Sequence, residues 1–173
     1  MSHIQNEFNE LGLLAQKLDK TGNYNVYQLI SGLKHMLTEN CFFYGPLANM
    51  HPEKDPSRVF FDLNVDPQTH QMIYVQLGAG YAKELRGPHW CYVFKNIGQK
   101  LIVIPTTSVK GYSGLIREPY EFDIEEDDGM ISRLHFDEAR SIDKMRVLET
   151  RPYKDVITPK EEILEAYRRY MEM

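Results

Sequence analysis

Apolar residues recur along the first forty positions at the spacing of a helix. Phe8, Leu11, Leu14, Ala15 and Leu18 fall at i, i+3, i+4 intervals, which gathers them on one stripe. Thr21-Gly22-Asn23 ends that segment. Asn25 is a candidate N-cap for a second helix, with Val26, Leu29, Ile30, Leu33 and Leu37 on one face. The two segments are expected to form a helical hairpin.

The pattern then changes. Gly45, Pro46, Pro52 and Pro56 punctuate residues 44–57, a density of breakers that predicts a linker. Short β-like runs follow: Val59–Leu63, Met72–Leu77, Trp90–Phe94 and Lys100–Ile104, the last two joined by a hairpin turn at Asn96-Ile97-Gly98-Gln99. Asp66-Pro67-Gln68-Thr69 reads as a turn. Two more strands are expected over 118–124 and 130–136. Short strands with frequent turns suggest a small barrel or sandwich, and a strongly bent antiparallel barrel is expected from about residue 58 to 150. A closing helix is expected with Thr158 as N-cap, Pro159 at N1 and Glu161 at N3, a capping box. Ile163, Leu164, Tyr167 and Tyr170 give it an apolar face. The fold class is thus α+β, organised as an N-terminal helical extension and linker, 1–57, and a barrel domain with a C-terminal helix, 58–173.

Composition narrows the function. A net charge of −5 argues against a protein that coats nucleic acid by bulk charge, although a local basic site remains compatible with it. Two distant cysteines, Cys41 and Cys91, exclude a disulfide framework or a Cys-rich zinc site. No apolar run approaches a membrane span, and the opening residues carry no secretory pattern. A cytoplasmic protein is expected.

Three segments carry candidate chemistry. The stretch Leu77–His89 lies between two strands and holds Gly78, Gly80 and Gly87 with Lys83, Glu84, Arg86 and His89. A connection this long inside a small barrel is either a binding loop or a decorated hairpin. Its Gly-X-Gly lacks the strand-to-helix context of a dinucleotide fingerprint. Pro105-Thr106-Thr107-Ser108 ends an apolar strand with three hydroxyls, and Lys110 follows. Such hydroxyls either turn back on the backbone or donate to a phosphate. The six histidines show no metal-ligand spacing, so no cofactor is expected. Glu125-Glu126-Asp127-Asp128-Gly129 reads as a solvated hairpin turn.

The order of these pieces resembles the MazF/PemK family. The matching stretches are Ile73–Phe94, Leu101–Tyr112 and Ile131–Val147, the last containing Arg140-Ser141-Ile142-Asp143-Lys144. From first to last they span residues 73–147, in the middle and latter half of the chain. The resemblance implies an SH3-like barrel and a metal-independent, sequence-selective endoribonuclease toxin that cleaves single-stranded RNA. It also implies a homodimer and a cognate antitoxin protein as partner. On the matched positions Thr107 stands for the catalytic threonine and Glu84 for the loop acid. The family's arginine and the proline after it are His89 and Trp90 here. Cleavage by the ribose 2′-hydroxyl needs proton transfer and charge stabilisation at phosphorus. His89 suits the first and Arg86 the second. Tyr81, Lys83, Ser108, Lys110 and Tyr112 are the expected RNA contacts, the tyrosines by stacking on bases.

Two other readings stand beside this one. The replacement of the family arginine by His89 is equally the mark of a catalytically silent SH3-like module that binds RNA or protein. The helical hairpin is also a candidate docking or oligomerisation arm.

Overall fold

The computed structural model describes residues 3–55, 59–81 and 83–173. Pro56, Ser57 and Arg58, at the expected junction of linker and barrel, and Ala82, in the glycine-rich loop, lie outside the described residues. Helix α1 spans His3–Asp19 and α2 spans Val26–Phe42. The strands are β1 Gln71–Gln76, β2 Pro88–Asn96, β3 Lys100–Ser108, β4 Glu121–Glu125, β5 Ile131–His135, β6 Arg140–Asp143 and β7 Lys154–Asp155. Helix α3, Lys160–Met171, closes the chain.

The strands form one antiparallel sheet in the order β4-β5-β3-β2-β1-β7, with β6 also paired to β3. The long β3 explains the curl. Its first half, Lys100–Val103, pairs with β6, and its second half, Thr106–Ser108, pairs with β5. One strand therefore serves two neighbours on the same edge, and the sheet bends between them into a half-barrel. A register shift between Val93 and Lys95 on β2 adds to the bend, as bulges increase local twist.

Both faces of the sheet are buried, because its strands alternate large apolar residues on each side. Met72, Tyr92, Ile104 and Leu134 pack with Phe136 and with Ile163 and Ala166 of α3. Ile73, Val75, Cys91, Val93, Leu101 and Val103 pack on the opposite face with Ile142 and Val147. Each fully buried large side chain contributes about 1.5–3 kcal/mol.

Both N-terminal helices lie where the periodicity places them, and Asn25 caps α2 by accepting a hydrogen bond from Gln28 N at 3.0 Å. Four expectations need correction. Val59–Leu63 forms no strand. Its alternating burial is real, with Val59 buried and Leu63 packed on the second cluster, but it covers the core edge without joining the ladder. The expected linker opens as helix instead, because Phe43–Leu47 continues α2 as a π-helical turn that takes in Pro46; the wider turn tolerates the missing N–H. Thr158 does not cap α3. Pro159 is the N-cap residue and no side chain caps it; the Thr158 hydroxyl accepts Glu125 N at 2.8 Å and ties the helix entrance to β4. Glu126 is no solvated turn residue. It is buried, accepts from Lys154 Nζ at 2.6 Å and from the Ser132 hydroxyl. Strands β6 and β7 are too short to show in the sequence pattern.

Candidate active site

The hydroxyl-bearing end of β3 opens into a cleft of about 500 Å³. Pro88, His89 and Trp90 at the start of β2 line it together with Thr106, Thr107 and Ser108 of the neighbouring strand. Tyr74 of β1 and Arg151 close one end, and Lys110 and Tyr112 stand beyond β3. The register brings these residues together. Cys91 pairs with Pro105, so His89 and Thr107 fall on corresponding positions of neighbouring strands, two residues further along. Thr106 points the other way and its hydroxyl donates to Trp90 O at 3.0 Å, which pins the two strand ends together.

Thr107 faces β5. Its Oγ1 lies 2.9 Å from His135 Nε2. Behind the imidazole, His135 Nδ1 is 3.5 Å from Glu121 Oε1, because His135 and Glu121 are direct partners across β4 and β5. The carboxylate favours the tautomer that carries its proton on Nδ1, leaving Nε2 to accept from the Thr107 hydroxyl. Burial lowers the His135 pKa from 6.5, and the charges of Glu121 and Asp137 oppose that shift without cancelling it. The ring is therefore neutral at pH 7. Burial also raises the affinity of Glu121 for a proton, but hydrogen bonds from Arg117 outweigh it, and the carboxyl stays below its ordinary value. Arg117 donates to Glu121 from its backbone N at 2.9 Å and from Nε at 2.7 Å.

Arg133 occupies the next outward position on β5. It grips Asp123 through Nε at 2.7 Å and Nη2 at 3.0 Å, and donates to Gly114 O at 2.8 Å. The bidentate pair ties β5 to β4, and the bond to Gly114 holds the segment after Lys110 against the sheet. One sheet face thus runs from the apolar cluster around Cys91 and Val103 to a polar strip of Thr107, His135, Glu121, Arg133 and Asp123.

His89 sits where these regions meet. Its Nδ1 is buried with no hydrogen-bond partner among the described residues. Burial lowers its pKa; the Gly87 backbone and the Glu138 carboxylate pull the other way. Glu138 and Arg140 pair beside it, and Glu138 accepts Leu85 N at 3.0 Å, fastening the glycine-rich loop to the start of β6.

That loop does not bring all of its expected residues to Thr107. It is pinched at its base by Gly87 N to Gly78 O at 2.8 Å and Leu77 N to Gly87 O at 2.9 Å. Gly87 has φ +73°, and a Cβ there would meet the Gln28 side chain at 2.0 Å, so only glycine fits. Arg86 lies with its guanidinium 4.3 Å from the centre of the Tyr24 ring and donates to Tyr81 O at 3.3 Å. Glu84 accepts Tyr81 N at 3.0 Å. Both shape the loop and face away from the cleft lining. Lys83 and Tyr81 are exposed at the loop tip. Of the expected residues, His89, Thr107, Ser108, Lys110 and Tyr112 line one cleft, and Glu84, Arg86, Lys83 and Tyr81 stand apart from it.

The sequence reading passes over His135, Glu121, Tyr74 and Arg151. A signal for the first two exists. Glu121 and Asp123 precede the Asp128-Gly129 turn at distances that mirror His135 and Arg133 after it. Complementary charges at mirrored positions of a hairpin mark cross-strand pairs. Arg151 lies 4.3 Å from the centre of the Tyr74 ring, and Tyr74 packs on Trp90 with centroids 5.4 Å apart. Lys154 covers Trp90 at 4.8 Å. Two packed aromatic rings, Tyr74 and Trp90, are therefore flanked by the cations Arg151 and Lys154.

Among the described residues no group of three His, Cys, Asp or Glu side chains is placed to hold a metal ion, and no helix is long and apolar enough to cross a membrane. No protein-family model matches the chain, and no curated protein matches it.

Proposed function

We propose that the protein is an endoribonuclease that cleaves single-stranded RNA through attack of the ribose 2′-hydroxyl on the adjacent phosphorus. The observation that carries this reading is the Thr107–His135 contact at 2.9 Å, backed by Glu121, with Thr107 and His89 both lining one cleft. The reaction needs a base for the 2′-hydroxyl proton, an acid for the departing 5′-oxygen, and positive charge at the phosphate. A neutral His135, oriented by Glu121, takes the proton by way of the Thr107 hydroxyl. His89, beside Thr107 on the neighbouring strand, supplies a proton to the leaving oxygen. A bound phosphate raises its proton affinity, since a nearby negative charge favours the imidazolium. Lys110 and Arg151 bring positive charge to the scissile group, and Tyr74 and Tyr112 offer faces for unpaired bases.

This arrangement supports the MazF/PemK resemblance on two points, a threonine at the strand end and a barrel-like antiparallel sheet, and revises it on two others. His135, from β5, joins His89 in the acid–base work in place of the loop acid Glu84, and Arg86 becomes a loop-shaping residue. An SH3-like barrel, a cognate antitoxin that covers the cleft and a cytoplasmic site of action belong to the same proposal. The test is incubation of purified protein with mixed single-stranded RNA in EDTA, followed by analysis of the ends. The reading requires 2′,3′-cyclic phosphate and 5′-hydroxyl ends that disappear in His135→Ala. A protein that binds the RNA and leaves it whole is the silent binding module instead.

A further inference from the structure

Helix α1 is an amphipathic helix with its apolar stripe uncovered. No residue of it is buried. Ala15 and Leu18, near the turn into α2, are its only partly covered side chains among the described residues. Ile4, Phe8, Leu11 and Leu14 continue the same stripe and are 67%, 54%, 53% and 62% exposed. On α2, Ile30 and Leu37 are about half exposed as well. The stripe that meets α2 near the turn is therefore left open along the rest of the helix.

We propose that a second copy of this chain covers that stripe, the two α1–α2 hairpins packing as an antiparallel four-helix bundle. Three observations favour a second copy over an unrelated partner. The first is area. The six side chains expose on the order of 700 Å² of mainly apolar surface, close to the ~800 Å² per partner of a stable interface and above the usual largest patch on a monomer. The second is charge. Glu10 lies in the first half of α1, and Lys17 in its last turn. An antiparallel pairing centred between Leu13 and Leu14 sets Glu10 beside Lys17 of the second copy, and the reciprocal pair forms by symmetry. The third is Gly12. Glycine weakens a helix interior, and nothing in the chain lies within 4 Å of a Cβ built there. A close crossing of two copies of α1 gives that glycine a use.

This inference is independent of the cleavage reading. Light scattering on the full chain at micromolar concentration tests it, with near-UV circular dichroism as the check on folding. The parent should be a dimer. Leu11→Glu/Leu14→Glu should be a monomer with the parent's near-UV spectrum, since neither side chain is buried within one chain. Glu10→Lys should raise the dimer dissociation constant by about tenfold, and adding Lys17→Glu should restore it. A monomeric parent overturns the proposal, as does a dimer that persists in the double-glutamate variant, because its interface then lies elsewhere. Failure of the charge reversal to restore association overturns the antiparallel register, and this pair of variants decides the matter if the double-glutamate variant loses its native spectrum.

Discussion

The Thr107 hydroxyl lies 2.9 Å from His135 Nε2, and the opposite nitrogen of that ring faces the Glu121 carboxylate at 3.5 Å. The hydroxyl comes from β3, the imidazole from β5 and the carboxylate from β4, so the relay exists only when all three strands are in register. A strand-end hydroxyl whose neighbour is a neutral, oriented imidazole is a group prepared to pass a proton.

Removal of either end of that relay should therefore have a similar effect. Thr107→Val and His135→Ala are each expected to slow single-turnover cleavage by about 10²–10⁴-fold, the scale of general acid–base catalysis. The double variant should be little slower than the worse single variant, because the two act as one unit. RNA affinity should change far less than rate. Additive losses would mean that the two side chains work separately.

The acid–base pair sets a pH profile. Burial lowers the pKa of both His89 and His135 from 6.5. One must be neutral and the other protonated, so kcat/KM should be bell-shaped in pH. With both free-enzyme values below 6.5, its maximum should lie on the acid side of 6.5. A rate that climbs steadily from pH 6 to 9 would point to a different base.

Stability should carry the same signature. His70, His89 and His135 all have lowered values, with burial as the largest cause in each. A histidine held neutral in the fold takes up its proton more readily when unfolded. Its contribution is therefore complete above the unfolded value of 6.5 and is lost as pH falls through that value toward the lower folded one. Glu121, lowered from 4.5, adds a second loss that begins only below that point. Melting temperature should be level from pH 8 to 7 and begin to fall at about pH 6.5, above the range in which Glu121 contributes. His135→Gln should flatten part of that fall.

The cations at the cleft differ in role from the loop arginine. Lys110→Ala and Arg151→Ala should each weaken RNA binding across sequences. Each should also reduce the slope of log affinity against log salt, by somewhat less than one for every phosphate that the side chain neutralises. Arg86→Ala should leave that slope unchanged, since its guanidinium rests on Tyr24. A reduced slope for Arg86→Ala would return that residue to the RNA surface.

The sequence discloses this site unevenly, and the reason is physical. Thr107 stands out because a hydroxyl run at the end of the apolar strand Leu101–Ile104 is local information. His89 stands out because the Gly87-Pro88 step fixes the loop exit just before it. His135 does not, since its meaning depends on the pairing of β3 with β5 and of β5 with β4. Arg86 misleads for the converse reason: it is near His89 in sequence, but the Gly87 turn and the docking of Gln28 direct it to the helical extension. The helices follow their apolar spacing closely. At Thr158 the capping pattern is present in full, yet the hydroxyl bonds Glu125 N across the fold. Local pattern there yields to a tertiary partner.

The ends left on cut RNA report the chemistry itself. RNA of mixed sequence, incubated with the purified full chain in EDTA and in parallel with His135→Ala, should give 2′,3′-cyclic phosphate and 5′-hydroxyl ends with the parent and whole RNA with the variant. Uncut RNA with both proteins, 3′-hydroxyl and 5′-phosphate ends, or equal cutting by the variant would contradict a 2′-hydroxyl reaction run through Thr107 and His135.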